Sequence, residues 1–255
     1  MKAVGNIKSK LTGSLRSSVS FVVLLGYQER TMNKVFIGLG VLLLLLIRVA
    51  VVIPSLNTER KQKVSQEKLK DKLLVVLLGS GGHTGEMLRL METVDVGKLG
   101  KVKWIVSSGD TTSAVRLRRF LESRTTPQSL SSLSSQNTLL ELKRARRVGE
   151  GLLSSVFSTL GSLRQAFFLL SSRKNRPDVL ILNGPATAVS LCLVATLLNL
   201  VGVSDTRIVY IESLARVHGL SLSGKLCYYF SHRFLVQWAS LQELYPRAEY
   251  YGVLV

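Results

Sequence analysis

LLVVLLGSGGHTGE, residues 73–86, decides how the chain is read. An apolar run from Leu73 to Leu78 stops abruptly at Gly79, Ser80, Gly81 and Gly82, and His83, Thr84, Gly85 and Glu86 then open a helical pattern. A continuous apolar run is the mark of a strand buried on both faces of a parallel sheet. Glycines let the backbone turn sharply and approach a ligand closely. The helix that follows aims unpaired N–H groups and a partial positive charge back at the turn. The stretch predicts strand, glycine turn and helix, with a place for a phosphate-like anion. It departs from a dinucleotide fingerprint, because Thr84 stands where the third glycine belongs and Gly85 comes one residue late; a membrane-anchored nucleotide-dependent oxidoreductase using the turn and Asp110, and a pure membrane scaffold, stay open as alternative readings. The acid near the end of the second strand, Asp110, also lies further on than that fingerprint wants. No Gly-Lys-Ser/Thr follows, which rules out a P-loop. A phosphate or diphosphate site remains, flanked by His83 and Glu86.

Outward from this stretch the same pattern repeats. Strands are expected at Val102–Ser107, near 138–142, and at Asp178–Leu182, Arg207–Ile211, Phe234–Val236 and Tyr250–Val255. Helices are expected near 112–122, over 148–172 and 186–201, from Ser221 onward, and in a short turn ending at Tyr245 before Pro246. Residues 123–138, rich in Ser, Thr and Gln, read as a loop. Strands alternating with helices predict an α/β fold with a parallel sheet covered on both faces. Ligands of such sheets sit outside the strand C-termini. There the sequence places the glycine turn, Asn183, the Glu212–Ser213 pair and Gln237–Trp238. The turn would hold a phosphate, His83 or Glu86 would act as a base, and Glu212 would bind a sugar hydroxyl.

Ahead of this domain, 73–255, lie three further segments. Residues 1–34 form an N-terminal extension with six basic residues and one acid. Residues 35–53, VFIGLGVLLLLLIRVAVVI, form an apolar run long enough to cross a bilayer as a helix. Arg48 near its end can snorkel to the interface, and no small-residue cleavage site follows the run, as a signal peptide would require. Residues 54–72 are a basic linker whose six Lys/Arg balance those upstream, so charge does not set the orientation.

The chain of 255 residues carries a net charge of +18, which calls for an anionic partner: acidic lipid or a phosphorylated substrate. Nucleic acid is disfavoured, since the basic residues are dispersed and match no zinc-finger, RNP or basic-zipper pattern. Cys192 and Cys227 lie in apolar segments without motif spacing, so neither a disulfide framework nor a metal site is expected. The predicted helix over 148–172 has basic clusters at both ends and reads either as a core-packing helix or as one lying in a membrane surface.

An ordered series of segments carries a family resemblance: GSGGHTGE (79–86), PDVLILNGPAT (177–187), IVYIESLARV (208–217), LSGK (222–225), FLVQW (234–238) and YPRAEYYG (245–252). From about residue 33 onward the chain resembles the membrane-anchoring subunit of the two-chain UDP-N-acetylglucosamine transferase of asparagine-linked glycosylation. The resemblance implies a Rossmann-like sheet similar to the N-terminal, acceptor-binding half of a GT-B glycosyltransferase, preceded by one transmembrane helix. It implies a soluble catalytic partner that binds UDP-GlcNAc, recruited to the cytosolic face of the endoplasmic reticulum membrane, and GlcNAc-diphosphate-dolichol as acceptor. Contact with the enzyme of the preceding dolichol step is also implied. No cofactor and no metal is expected, and the chain alone is expected to be inactive. Catalysis is assigned to His83, with Glu86 or Glu212 as alternatives. Acceptor binding is assigned to Gly79, Ser80, Gly81, Gly82, Thr84, Asn183, Glu212 and Ser213. Partner docking is assigned to Tyr245, Tyr250, Tyr251, Val253 and Val255.

Overall fold

The computed structural model describes residues 34, 36–56, 70–94, 100–124, 137–145, 152–184 and 186–255. The extension, the greater part of the linker and the core of the 123–138 loop lie outside the described residues. The chain divides into two compact units, Met1–Val49 and Ala50–Val255. In the first, the described residues are helical and, apart from Val49, exposed; they open a helix α1 that runs over 36–52. Among the described residues no helix is long and apolar enough to cross a membrane.

The second unit is an α/β sandwich. Its described strands are β1 (Leu74–Leu78), β2 (Val102–Ser107), β3 (Asn137–Leu142), β4 (Val179–Asn183), β5 (Arg207–Ile211), β6 (Arg233–Val236) and β7 (Ala248–Tyr250). They pair in parallel throughout, in the order β3-β2-β1-β4-β5-β6-β7. The helices are α2 (Gly82–Glu92), α3 (Thr111–Ser123), α4 (Leu152–Ser171), α5 (Ala186–Leu200), α6 (Leu222–Phe230) and α7 (Ala239–Leu244). β1 lies at the centre of the sheet and is buried along its whole length, as its unbroken apolar run requires. One side of the sheet packs on α2 and α3 through Met87, Met91, Trp104, Leu117 and Phe120. The other packs on α4, α5 and α6 through Ala166, Leu170, Leu191, Ala195 and Cys227.

The direction in which successive strands are laid across the sheet reverses between β1 and β4. β1 leads outward to β2 and β3, while β4 leads the opposite way to β5, β6 and β7. The helices leaving β1 and β4 therefore cover opposite faces of the sheet, and a crevice opens between the C-terminal ends of those two strands.

The last strand differs from the sequence expectation of Tyr250–Val255. β7 is Ala248–Tyr250, and it pairs with Phe234, Leu235 and Val236. β6 ends at Val236, so no ladder is available to residues beyond Tyr250. Glu249, which breaks the apolar pattern, is nonetheless buried, because Arg233 Nε on β6 donates to both of its oxygens at 2.7 and 2.8 Å.

Candidate functional site

The glycine turn sits at the mouth of the β1/β4 crevice. It is pinned from below by Thr84, fully buried, whose hydroxyl donates to the Gly79 carbonyl and lies 2.6 Å from Ser113 Oγ on α3. Above, the turn is open. Gly81 has φ +67°, a conformation that favours glycine. It caps α2 without any side-chain hydrogen bond, which leaves the first N–H groups of the helix for an outside acceptor. A Cβ at Gly81 or Gly82 would meet nothing within 4 Å. The packing therefore does not demand glycine at Gly82, whereas a ligand lying on the turn would. Arg116 on α3 reaches over and donates to the Gly81 carbonyl at 3.2 Å, adding a cation beside the turn. Arg116 falls within the helix expected near 112–122, and only the packing of α2 on α3 brings it to the turn.

One helical turn further on, His83 and Glu86 face each other, with Nδ1 and Oε2 3.5 Å apart. Both atoms are buried and have no other hydrogen-bond partner among the described residues. Ser213, arriving from the end of β5, donates its hydroxyl to Glu86 Oε1 at 2.8 Å. Asn183, at the end of β4, donates to the His83 carbonyl at 3.0 Å. Burial pushes the Glu86 carboxyl up, but the hydrogen bonds from His83 and Ser213 outweigh it and hold Glu86 below the usual carboxylate range. Glu86 is therefore an anion at neutral pH, aimed at Nδ1 of His83.

Two residues missed from the sequence complete the arrangement. Gly184 has φ +79°, and its backbone lies flat against the imidazole: a Cβ there would fall 2.6 Å from His83 Cγ. Tyr210, buried in β5, donates its hydroxyl to the Gly184 carbonyl at 3.2 Å. The His83 ring thus has a fixed floor. The Asn-Gly-Pro stretch in the sequence marks a bend, but nothing there links it to His83, about a hundred residues earlier.

Glu212 departs from expectation. It is 1% exposed. Oε1 accepts from the Ser213 backbone, and Oε2 accepts from the backbone and hydroxyl of Ser221. Ser221 in turn caps α6 through the Gly224 N–H. Burial raises the Glu212 carboxyl above its usual range despite these donors. Both oxygens are turned to the chain's own groups, which is not the position of a sugar-binding or proton-accepting carboxylate. Asp110 is likewise occupied, capping α3 through the Ser113 N–H at 3.0 Å.

The expected docking residues divide. The Tyr245 ring packs on Tyr228, with centroids 5.7 Å apart. Tyr250, Tyr251 and Val253 are exposed. Gln237 holds the tail by accepting from the Leu254 N–H at 3.2 Å. Val255 comes back to the site, beside Glu86, Asn183, Ile211 and Gln237.

Comparison with known proteins agrees with the ordered motifs. Residues 74–254 match the family described as "Oligosaccharide biosynthesis protein Alg14 like". The chain is 43% identical over 204 residues to the UDP-N-acetylglucosamine transferase subunit of Debaryomyces hansenii, covering 79% of this chain and 85% of that one. It is 44% identical over 216 residues to the subunit of the same name from Yarrowia lipolytica, covering 85% and 95%. Among solved structures, Acinetobacter baumannii MurG aligns at 14% identity with a TM-score of 0.45, over 66% of this chain and 42% of that one.

Proposed function

The chain belongs to the Alg14-like family of oligosaccharide biosynthesis proteins, and from that premise we propose that it is the acceptor-binding subunit of a UDP-N-acetylglucosamine transferase. It adds the second GlcNAc of the asparagine-linked glycan precursor, together with a soluble chain that binds UDP-GlcNAc. In this reading the domain is the N-terminal half of a divided GT-B enzyme. The apolar run 35–53 anchors it at the cytosolic face of the endoplasmic reticulum, next to the preceding enzyme of the pathway. Tyr250, Tyr251 and Val253 supply outward-facing side chains for the soluble partner. Anchoring the enzyme in the plane of a lipid-linked acceptor raises their effective concentration.

The observation that carries the reading is the open glycine turn beside a supported histidine–carboxylate pair. The turn and Arg116 receive the acceptor diphosphate. Displacement at the sugar's anomeric carbon needs a base for the acceptor hydroxyl. His83 takes that proton on Nε2 while Glu86 holds the Nδ1 proton and balances the imidazolium that forms. The 3.5 Å separation shortens as the acceptor settles. Ser213 and Asn183 hold the pair in place and stand beside it to meet the acceptor.

The test is transfer from UDP-GlcNAc to a GlcNAc-diphosphate-lipid by membranes holding this chain, with and without the soluble partner. His83→Ala should lower kcat by about a hundredfold or more while the partner still docks. Full activity in that variant would leave the chain an anchor with a structural turn.

A further inference from the structure

The two helical layers of the domain differ in what they show to the outside. α2 and α3 present charged and polar positions outward, among them Arg89, Glu92, Arg118, Arg119 and Glu122. α4, α5 and α6 do not. On α4, Phe157, Leu160, Arg164 and Phe168 follow one another at spacings of three and four, so they form one stripe, and Phe157 is 76% exposed. On α5 the outward stripe is Leu193 and Leu197, and on α6 it is Leu222, Leu226 and Tyr229. These three helices contain no Asp or Glu, and their charged residues are Arg164 and Lys225. α5 is buried by the domain along most of its length, and the side chains it exposes, Leu193 and Leu197, are apolar. An apolar face of this breadth marks a contact surface.

We propose that this face of α4, α5 and α6 lies in the headgroup and upper acyl region of an anionic bilayer. The charge pattern selects lipid as the occupant. Among the described residues of these helices every charge is a cation, Arg173 and Lys174 add positive charge beyond α4, and Arg164 lies over the Phe168 ring at 5.7 Å. Aromatic and aliphatic side chains ringed by cations, without acids, are the composition of a surface that enters an anionic interface in plane. Through this contact the sheet is held in a fixed orientation above the lipid, which a single anchor joined by a linker does not achieve. The inference rests on the membrane location proposed above but not on the chemistry of His83.

The experiment places a polarity-sensitive thiol label at Phe157→Cys or Phe168→Cys, with Arg118→Cys on α3 as control. Cys192 and Cys227 are fully buried and stay unlabelled. The full chain is reconstituted into phosphatidylcholine vesicles containing phosphatidylserine, without and with the soluble partner. Brominated acyl chains should quench the labels at 157 and 168 at least about threefold more than the label at 118, as expected for side chains seated roughly 5–10 Å into the interface. Equal quenching at all three sites by aqueous iodide, with no effect of brominated lipid, overturns the proposal. Shielding at 157 and 168 that appears only with the partner chain overturns it as well and gives the face to the partner. A Phe157→Asp/Phe168→Asp variant supplies a second reading. It should lose about tenfold in kcat/KM for a long-chain lipid acceptor in vesicles and keep its activity on a water-soluble short-chain acceptor. If no transfer is seen with any acceptor, the transferase reading fails, while the quenching still decides the orientation.

Discussion

Gly184 and Gly82 are both glycines of the candidate site, and they answer to different demands. At Gly184 the positive φ and the 2.6 Å approach to His83 Cγ exclude any side chain on internal grounds. Gly184→Ala should cost about 1–2 kcal/mol in stability and move the imidazole, with a fall in kcat approaching that of His83→Ala. At Gly82 a Cβ meets nothing. Gly82→Ala should leave the thermal midpoint unchanged or slightly raised, since Ala suits a helix start in solution at least as well. It should nonetheless raise the acceptor KM by about tenfold if a diphosphate lies on the turn, a loss of roughly 1.4 kcal/mol in binding. Thermal melts and steady-state kinetics on the two variants separate packing from binding. The sequence made His83, Glu86 and the turn visible because they are contiguous. Arg116, Gly184 and Tyr210 stayed hidden because their roles rest on contacts between segments far apart in the chain.

At the scale of an element, α6 shows how one buried acid organises a helix. The sequence signalled its start through Ser221, Ser223, Gly224 and Lys225. What it did not signal is that Glu212 lies directly beneath. A Cβ on Gly224 would land on Glu212 Oε2, and that oxygen is fixed by two donors from Ser221. Gly224→Ala should therefore destabilise the domain by about 2–3 kcal/mol, the overpacking range. Ser221→Ala, which removes the cap, should cost about 1 kcal/mol. The order of the two thermal midpoints checks the assignment. β7 teaches the complementary lesson. The apolar and aromatic run at 250–255 looked like the strand, yet the strand is Ala248–Tyr250 with a buried Glu249. A strand forms where a neighbour offers a ladder, and the Arg233 guanidinium makes burial of that carboxylate tolerable.

For the whole molecule, pH acts through His232. It lies between α6 and β6, and its Nδ1 accepts the Ile208 N–H on β5 at 3.1 Å. Burial and the nearby Arg207 push its pKa down to about 4. In the unfolded chain the imidazole returns to its ordinary value near 6.5, so between those values the unfolded state binds more protons than the folded one. Stability contributed by this residue is present above pH 6.5 and is lost as pH falls toward 4, by roughly 3 kcal/mol in all. His232→Asn keeps an acceptor for Ile208 but cannot be protonated. Its thermal midpoint should fall less than that of the wild type between pH 7 and pH 4. An equal fall in both proteins would contradict the assignment.

The sequence by itself determined the alternation of strands and helices, the glycine turn with His83 and Glu86, and the family, because those signals are local in the chain: apolar runs, glycine spacing and short ordered motifs. The tertiary structure alone decided three further matters. It set the reversal between β1 and β4 that brings Asn183 and Gly184 to His83. It gave Glu212 to the α6 cap instead of the site. It also gathered the outward stripes of α4, α5 and α6 into one acid-free apolar face. The physical reason is common to all three. Each depends on which segments lie side by side, and neighbours in space are chosen by the burial of the whole sheet, not by any one stretch of it.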